Sequence, residues 1–192
     1  MMKQAFFAGM AALLLTGCTA TIPPVQVTRF HLGQQISGGG ISIESVRVGD
    51  SNSLEFGTYA AAVRRQLTIV GLTEGEAIYS AIIDQSRTTR ETAKPRSPVS
   101  IGIGGGTSIG GVGVGAGTSI PLGSRGTQQV VVSRLAVTIK RRADQTVLWE
   151  GRAETEAPVT APAAQPGLAA DKLAKALFSG FPGRSGETIT VP

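Results

Sequence analysis

One thiol, one imidazole and a scatter of carboxylates are the side chains here that could make or break bonds: Cys18, His31, Asp84 and the pair Glu154 and Glu156. Each implies its own chemistry. Cys18 could be acylated, His31 could move a proton or bind a metal, and two carboxylates could divide acid and base roles. Their surroundings argue against catalysis. A metal centre needs about three or four ligands at paired spacings, and His31 has neither a cysteine nor a carboxylate cluster near it in sequence, so it reads as a satisfied or solvent-facing strand residue. Asp84 ends an apolar run and is expected in a partly buried ion pair with Arg87 or Arg90. Glu154 and Glu156, two residues apart, share a strand face and read as solvated. No Gly-x-Ser-x-Gly elbow occurs, and Gly106-Thr107-Ser108-Ile109-Gly110 fails its spacing. The expectation is a protein without catalytic residues, metal or cofactor.

The glycine-rich stretch IGIGGGTSIGGVGVGAGTSI, Ile101 to Ile120, raises the question of phosphate binding. A Walker loop needs Gly-Lys-Ser/Thr, and no lysine lies between Lys94 and Lys140. The dinucleotide pattern Gly-x-Gly-x-x-Gly fails as well, since from Gly102, Gly113 or Gly115 its last position falls on Thr107, Thr118 or Ile120. What remains is a repeat: Ile101 to Ile109 matches Val112 to Ile120 apart from Ile/Val and Gly/Ala exchanges. Gly110-Gly111 between them is a two-residue hairpin signal, because glycine reaches the positive φ of primed turns without steric cost. The predicted register sets Ile101 against Ile120, Ile103 against Thr118, Thr107 against Val114 and Ile109 against Val112. Every β-branched residue then shares one face, and the other is glycine and serine alone. Two uses compete for such a hairpin. It packs on the domain, a second copy or another protein; or it meets lipid, which demands a ring of copies closed into a barrel. A blander third is that the arms stay disordered until something binds.

The chain opens MMKQAFFAGMAALLLTGCTAT, with Lys3, an apolar run from Ala5 to Leu15, and Leu15-Thr16-Gly17-Cys18. This resembles a secretory signal ending in the lipobox of bacterial lipoproteins, and Cys18 is the only cysteine. The resemblance implies cleavage before Cys18, a diacylglyceryl thioether on its sulfur and a fatty acyl group on its amino terminus. Each buried methylene contributes about 0.8 kcal/mol, so several chains together hold a protein on a bilayer. Thr19, where an aspartate favours inner-membrane retention in enterobacteria, points to the periplasmic face of the outer membrane, with the inner membrane as the alternative. The partners expected are the membrane through this anchor, and an unidentified envelope protein or a second copy.

The sequence pI of 9.9 invites a nucleic-acid reading. An exported protein has little access to nucleic acid, and the basic residues are scattered rather than clustered on one element, so they read as solvated faces. Loss of Lys3 with the signal takes the formal net charge from +5 to +4. With no second cysteine, disulfides cannot staple the fold.

Elements that could position these residues follow from period. VQVTRFHL (25–32), ISIESVRV (41–48) and AIYSAIIDQS (77–86) have strand character, and Arg87 to Pro98 reads as a polar connection. Ser53 is a plausible cap for a helix in which Phe56, Tyr59, Ala60, Val63, Leu67 and Val70 recur at spacings of three and four, with Gly71 ending it. QVVVSRLAVTIKRR and TVLWEGRAETE form a hairpin about Ala143-Asp144-Gln145, with Val147 and Trp149 packed near Leu135, Val137 and Ile139. Ala157 to Gly167 reads as a Pro/Ala linker covering distance. A second helix is expected at 168–181, with an Asp171–Lys175 pair and Pro182-Gly183 as its stop. The reading is a signal peptide at 1–17, a lipidated tether at 18–24 and one α+β domain at 25–192. Its sheet is mostly antiparallel, with two helices packed on one face and a protruding glycine-rich hairpin at 99–123.

SLEFGTYAAAVRRQLTIVGL, LAVTIKRRADQTVLWEGRAE and ALFSGFPGRSGETI, separated by the glycine-rich interruption, resemble the lipoproteins of domain-of-unknown-function family 4136, from about Arg29 to Val191. The resemblance implies a periplasmic α+β domain behind a lipobox and transfers no catalytic residue. The function expected is non-enzymatic binding or assembly in the cell envelope, with an oligomeric export or pore component as the alternative and an enzyme third.

Overall fold

Alternation in VQVTRFH buries Val25, Val27 and Arg29 on one side of the first strand, β1 (Val25–His31). The computed structural model describes residues 23–192 apart from 37, 48, 95–99, 106–107, 110–111, 114–115 and 122–125, and gives only the backbone for strand residues within 100–121. The expected signal peptide, Cys18 and the expected tether up to Ile22 lie outside the described residues.

After β1 come β2 (Gly39–Ser45), α1 (Leu54–Ile69), β3 (Leu72–Thr73) and β4 (Ala77–Ala93). Four short strands follow, β5 (Ser100–Gly105), β6 (Ser108–Ile109), β7 (Val112–Gly113) and β8 (Ala116–Pro121). Then come β9 (Thr127–Arg141), β10 (Val147–Pro158), α2 (Pro166–Phe178) and β11 (Thr188–Val191). Seven strands form one sheet in the order β11-β1-β10-β9-β4-β2-β3, antiparallel except where β2 meets β3 and β4. The class is α+β, with a mostly antiparallel sheet and two helices. Separately, β5 pairs with β8 and β6 with β7, Ile101 opposite Ile120, Ile103 opposite Thr118 and Ile109 opposite Val112. Gly110, Gly111 and Val114 lie outside the described residues.

The core lies between the helices and one sheet face. Tyr59, Val63 and Leu67 of α1 and Leu173 and Leu177 of α2 are buried with Ile83, Leu135, Val137, Ile139 and Trp149 of the sheet. Each such aliphatic side chain contributes about 1.5–3 kcal/mol on burial. Helix α1 begins where the sequence says: the Ser53 side chain accepts a hydrogen bond from the Phe56 N–H at 3.0 Å. It ends at Gly71, whose φ of 88° suits a residue without a Cβ. Ser53→Ala should lower stability by about 1 kcal/mol, read as a shift of the urea midpoint at unchanged slope.

Several boundaries differ from expectation. Strand β4 runs on through Arg87 to Ala93, paired along its length with β9, so most of the expected polar connection is strand. Its end is exposed on both faces, and an amphipathic pattern has nothing to register there. The Pro/Ala stretch packs rather than spans: Ala164 is buried and its carbonyl accepts from Arg87 Nη2 at 2.6 Å. Helix α2 stops at Phe178, before Gly180 with φ 66°, not at Pro182-Gly183. Asp171 pairs across the helix interface with Arg65 rather than with Lys175. A bulge between Val147 and Trp149 turns Val147 out, 40% exposed, and buries Leu148 in its place. Strand β11, unexpected from sequence, closes the edge of the sheet against β1.

Candidate functional site

A cluster of buried and partly buried polar contacts gathers where the loop after α2 folds back over β1. Arg29 sits on the buried face of β1, 5% exposed. Its Nε donates to the Leu177 carbonyl at 2.9 Å, and its Nη2 to the carbonyls of Ala176 at 2.9 Å and Ser179 at 2.8 Å. These carbonyls end a helix and have no partner within it, so a cation there satisfies them and complements the helix dipole. Burial holds the Arg29 pKa below the ordinary guanidinium value, and no carboxylate pairs with it among the described residues. Gly183 lies against it: a Cβ there would stand 2.7 Å from both Cδ and Nη1 of Arg29.

His31, two residues on, meets the same loop. Its Nε2 lies 3.2 Å from the Gly183 carbonyl and its Nδ1 accepts from the Gly33 N–H at 3.1 Å. A neutral ring with its proton on Nε2 satisfies both contacts. Ser185 Oγ accepts from the His31 N–H and donates to the His31 carbonyl, both at 3.0 Å, and the Gly186 N–H donates to the Arg29 carbonyl at 2.8 Å. Beneath the loop, Trp149 packs against Phe178 and Phe181 with ring centroids 5.4 and 5.2 Å away, and its Nε1 donates to the Pro182 carbonyl at 3.0 Å. A depression of about 530 Å³ opens beside this clasp, lined by Arg29, Gly180, Gly183, Arg184 and Glu187 among others.

The carboxylates singled out in the sequence are elsewhere. Glu154 and Glu156 do share the outer sheet face, the one turned from the helices, where Glu154 pairs with Arg134 and Glu156 with Arg90. Asp84 is there too, half exposed and paired with Arg47 at 3.4 Å rather than with Arg87 or Arg90. Parity explains it. Position 87 is an odd number of residues from 84 and points to the helix side, and Arg90 is three strand repeats beyond Asp84. These pairs are exposed and screened by solvent, so each adds little to stability. His31, Asp84 and Glu154 are not brought together, and no group of three or more His, Cys, Asp or Glu suited to a metal occurs among the described residues. No helix among them is long and apolar enough to cross a membrane. Cys18 lies outside the described residues.

Sequence reasoning passes over Arg29, although a signal exists. Val25, Val27 and Arg29 share parity, so a strand that buries the valines must turn the guanidinium inward as well.

An uncharacterized protein of Zymomonas mobilis, ZMO1243, is 32% identical to this chain over 88% of its length and 80% of the relative's. The chain belongs to the ZMO1243 family. No family model matches it. Among solved structures, this ZMO1243 family member is similar to a PelC dodecamer from Paraburkholderia phytofirmans, at 8% identity and TM-score 0.45, covering 84% of this chain and 99% of that one. It is also similar to a PDZ domain protein from Parabacteroides distasonis, at 11% identity and TM-score 0.44, covering 88% of this chain and 39% of that one.

Proposed function

We propose that the protein is a lipoprotein held by Cys18 on the periplasmic face of the outer membrane, and that it works there by binding or assembly rather than by catalysis. The supporting observation is the short distance between the lipobox and the fold. Val25 is fully buried, and the Pro24 carbonyl already accepts from Thr155 Oγ1 at 3.0 Å. Only Thr19 to Pro24 separate Cys18 from β1, a reach of at most about 20 Å. Val25 is level across the sheet with Thr155, Ser133 and Arg87. From there the β4–β9 ribbon continues on the tether's side to Ala93 and Thr127, a further six residues or about 20 Å. The ribbon tip therefore lies at the end of the sheet where β1 begins.

In this reading residues 99–123 form a protruding hairpin turning at Gly110-Gly111. Ile101, Ile103, Ile109, Val112, Val114 and Ile120 make a branched face for an envelope protein or a second copy, and the glycine face lets a partner backbone approach closely. The likeness to domain-of-unknown-function family 4136 belongs to the same proposal. A second reading, a pore or export component that closes these arms into a barrel, draws on the absence of charge between Arg96 and Arg125.

Cys18→Ser tests the anchor. The wild-type chain should incorporate labelled palmitate and sediment with membranes after a carbonate wash, and the variant should do neither. An unlabelled wild-type chain, or a variant that still sediments, sinks the proposal. A ring of fixed stoichiometry that permeabilises liposomes would select the second reading.

A further inference from the structure

We propose that the depression beside Arg29 is a binding site for a small oxyanion, a carboxylate or a phosphate group, held between Arg29 and Arg184. Arg29 is a buried cation whose protein partners are all neutral carbonyls among the described residues. Carbonyl dipoles orient toward the guanidinium without cancelling its charge, and a buried charge is held at least cost beside an opposite one. Three of its bonds leave from Nε and Nη2; Nη1 has no acceptor among the described residues and lies against Gly183, a wall of the depression.

Opposite stands Arg184, with its side chain 87% exposed and a loose contact to Glu187 at 3.8 Å. The backbone N–H groups of Gly183 and Arg184 donate to no backbone or side-chain acceptor among the described residues. One guanidinium nitrogen of the buried Arg29, one exposed guanidinium and two free N–H groups around about 530 Å³ make a set in which donors predominate. Glu187, on the rim, is the only carboxylate lining it among the described residues, and at 3.8 Å it stands in for the ligand on Arg184. An incoming anion displaces it.

The test uses the full chain in detergent, ¹⁵N-labelled, titrated separately with inorganic phosphate and with acetate while the Gly183 and Arg184 amides and the Arg29 Nε–H are followed. One of the two anions should shift all three signals saturably, and the tighter of the two names the source of the oxyanion. Arg184→Ser should weaken that binding about five- to tenfold. Glu187→Gln should tighten it by a similar factor, since it removes a competing like charge. Both positions are exposed, so these variants are expected to fold as the parent does. Shifts that rise linearly with both anions, or saturate identically in the parent and both variants, would overturn the proposal.

Discussion

Replacing Trp149 with alanine is expected to lower the stability of the fold by about 3–5 kcal/mol, the usual cost of emptying a large aromatic site. Trp149 is fully buried, and its environment cannot collapse to fill the space. One wall is Gly151, where even a Cβ would collide with the indole and stand 2.7 Å from Leu177 Cδ1, so that wall is already backbone. The other walls are Phe178 at the end of α2 and Phe181 in the loop that follows. The indole N–H also fixes that loop through the Pro182 carbonyl, a hydrogen bond that contributes about 0.5–1.5 kcal/mol net. Urea unfolding of Trp149→Ala and Trp149→Phe separates the two contributions. The phenylalanine variant keeps most of the packing and should lose about half as much or less. A loss under about 1 kcal/mol in the alanine variant, well below the ordinary cost of such a cavity, would mean that this cluster does not hold the clasp.

Arg29→Met is the second large effect. Methionine keeps much of the apolar stem but leaves the carbonyls of Ala176, Leu177 and Ser179 without their donor. Hydrogen bonds to a charged group contribute about 1.5–3 kcal/mol each and are not additive within one cluster, so a loss of at least about 3 kcal/mol is expected. Arg29→Lys should recover only part of it, because an ammonium lacks the planar fork that serves three carbonyls at once. Amide exchange gives the local signature: the last turn of α2 and the Ser185–Gly186 segment should lose protection first, ahead of the β9–β10 hairpin. Equal loss of protection everywhere would argue against a local clasp.

The second effect sits in the part of the molecule least legible from sequence, whereas Trp149 lies on a strand whose pattern shows it. Helix α1 is readable because everything that defines it is local: Ser53 as cap, apolar residues at spacings of three and four, and Gly71 after the last turn. The β9–β10 hairpin is readable for the same reason, through alternation about a short polar loop. Strand β11 is not, because Thr188 to Val191 is a strand only through its pairing with Thr28 to Val25 at the far end of the chain. The partner of Asp171 escapes notice for a related reason. A local i, i+4 pair competes with a tertiary one, and Arg65 of the other helix is the partner in the fold. The end of β4 is hidden by its polarity, since Thr88, Thr89, Arg90 and Glu91 carry no buried face and are held straight by the β9 ladder alone. As for function, the thiol of Cys18 is legible as chemistry, and the guanidinium of Arg29 is not: an arginine in isolation reads as solvent-facing until strand parity is taken seriously.

Strand β1 lies between β10 and β11, and its side chains at Arg29 and His31 tie it to the end of α2 and the loop beyond. All of these partners belong to the final quarter of the chain. During synthesis the first strand therefore waits for β10 on one side and, later still, for β11 on the other. A product cut short between α2 and β11 would leave Val25 to Thr28 on a half-open edge, and unpaired strand edges favour aggregation. Closing this edge of the sheet thus depends on the last of its seven strands in chain order.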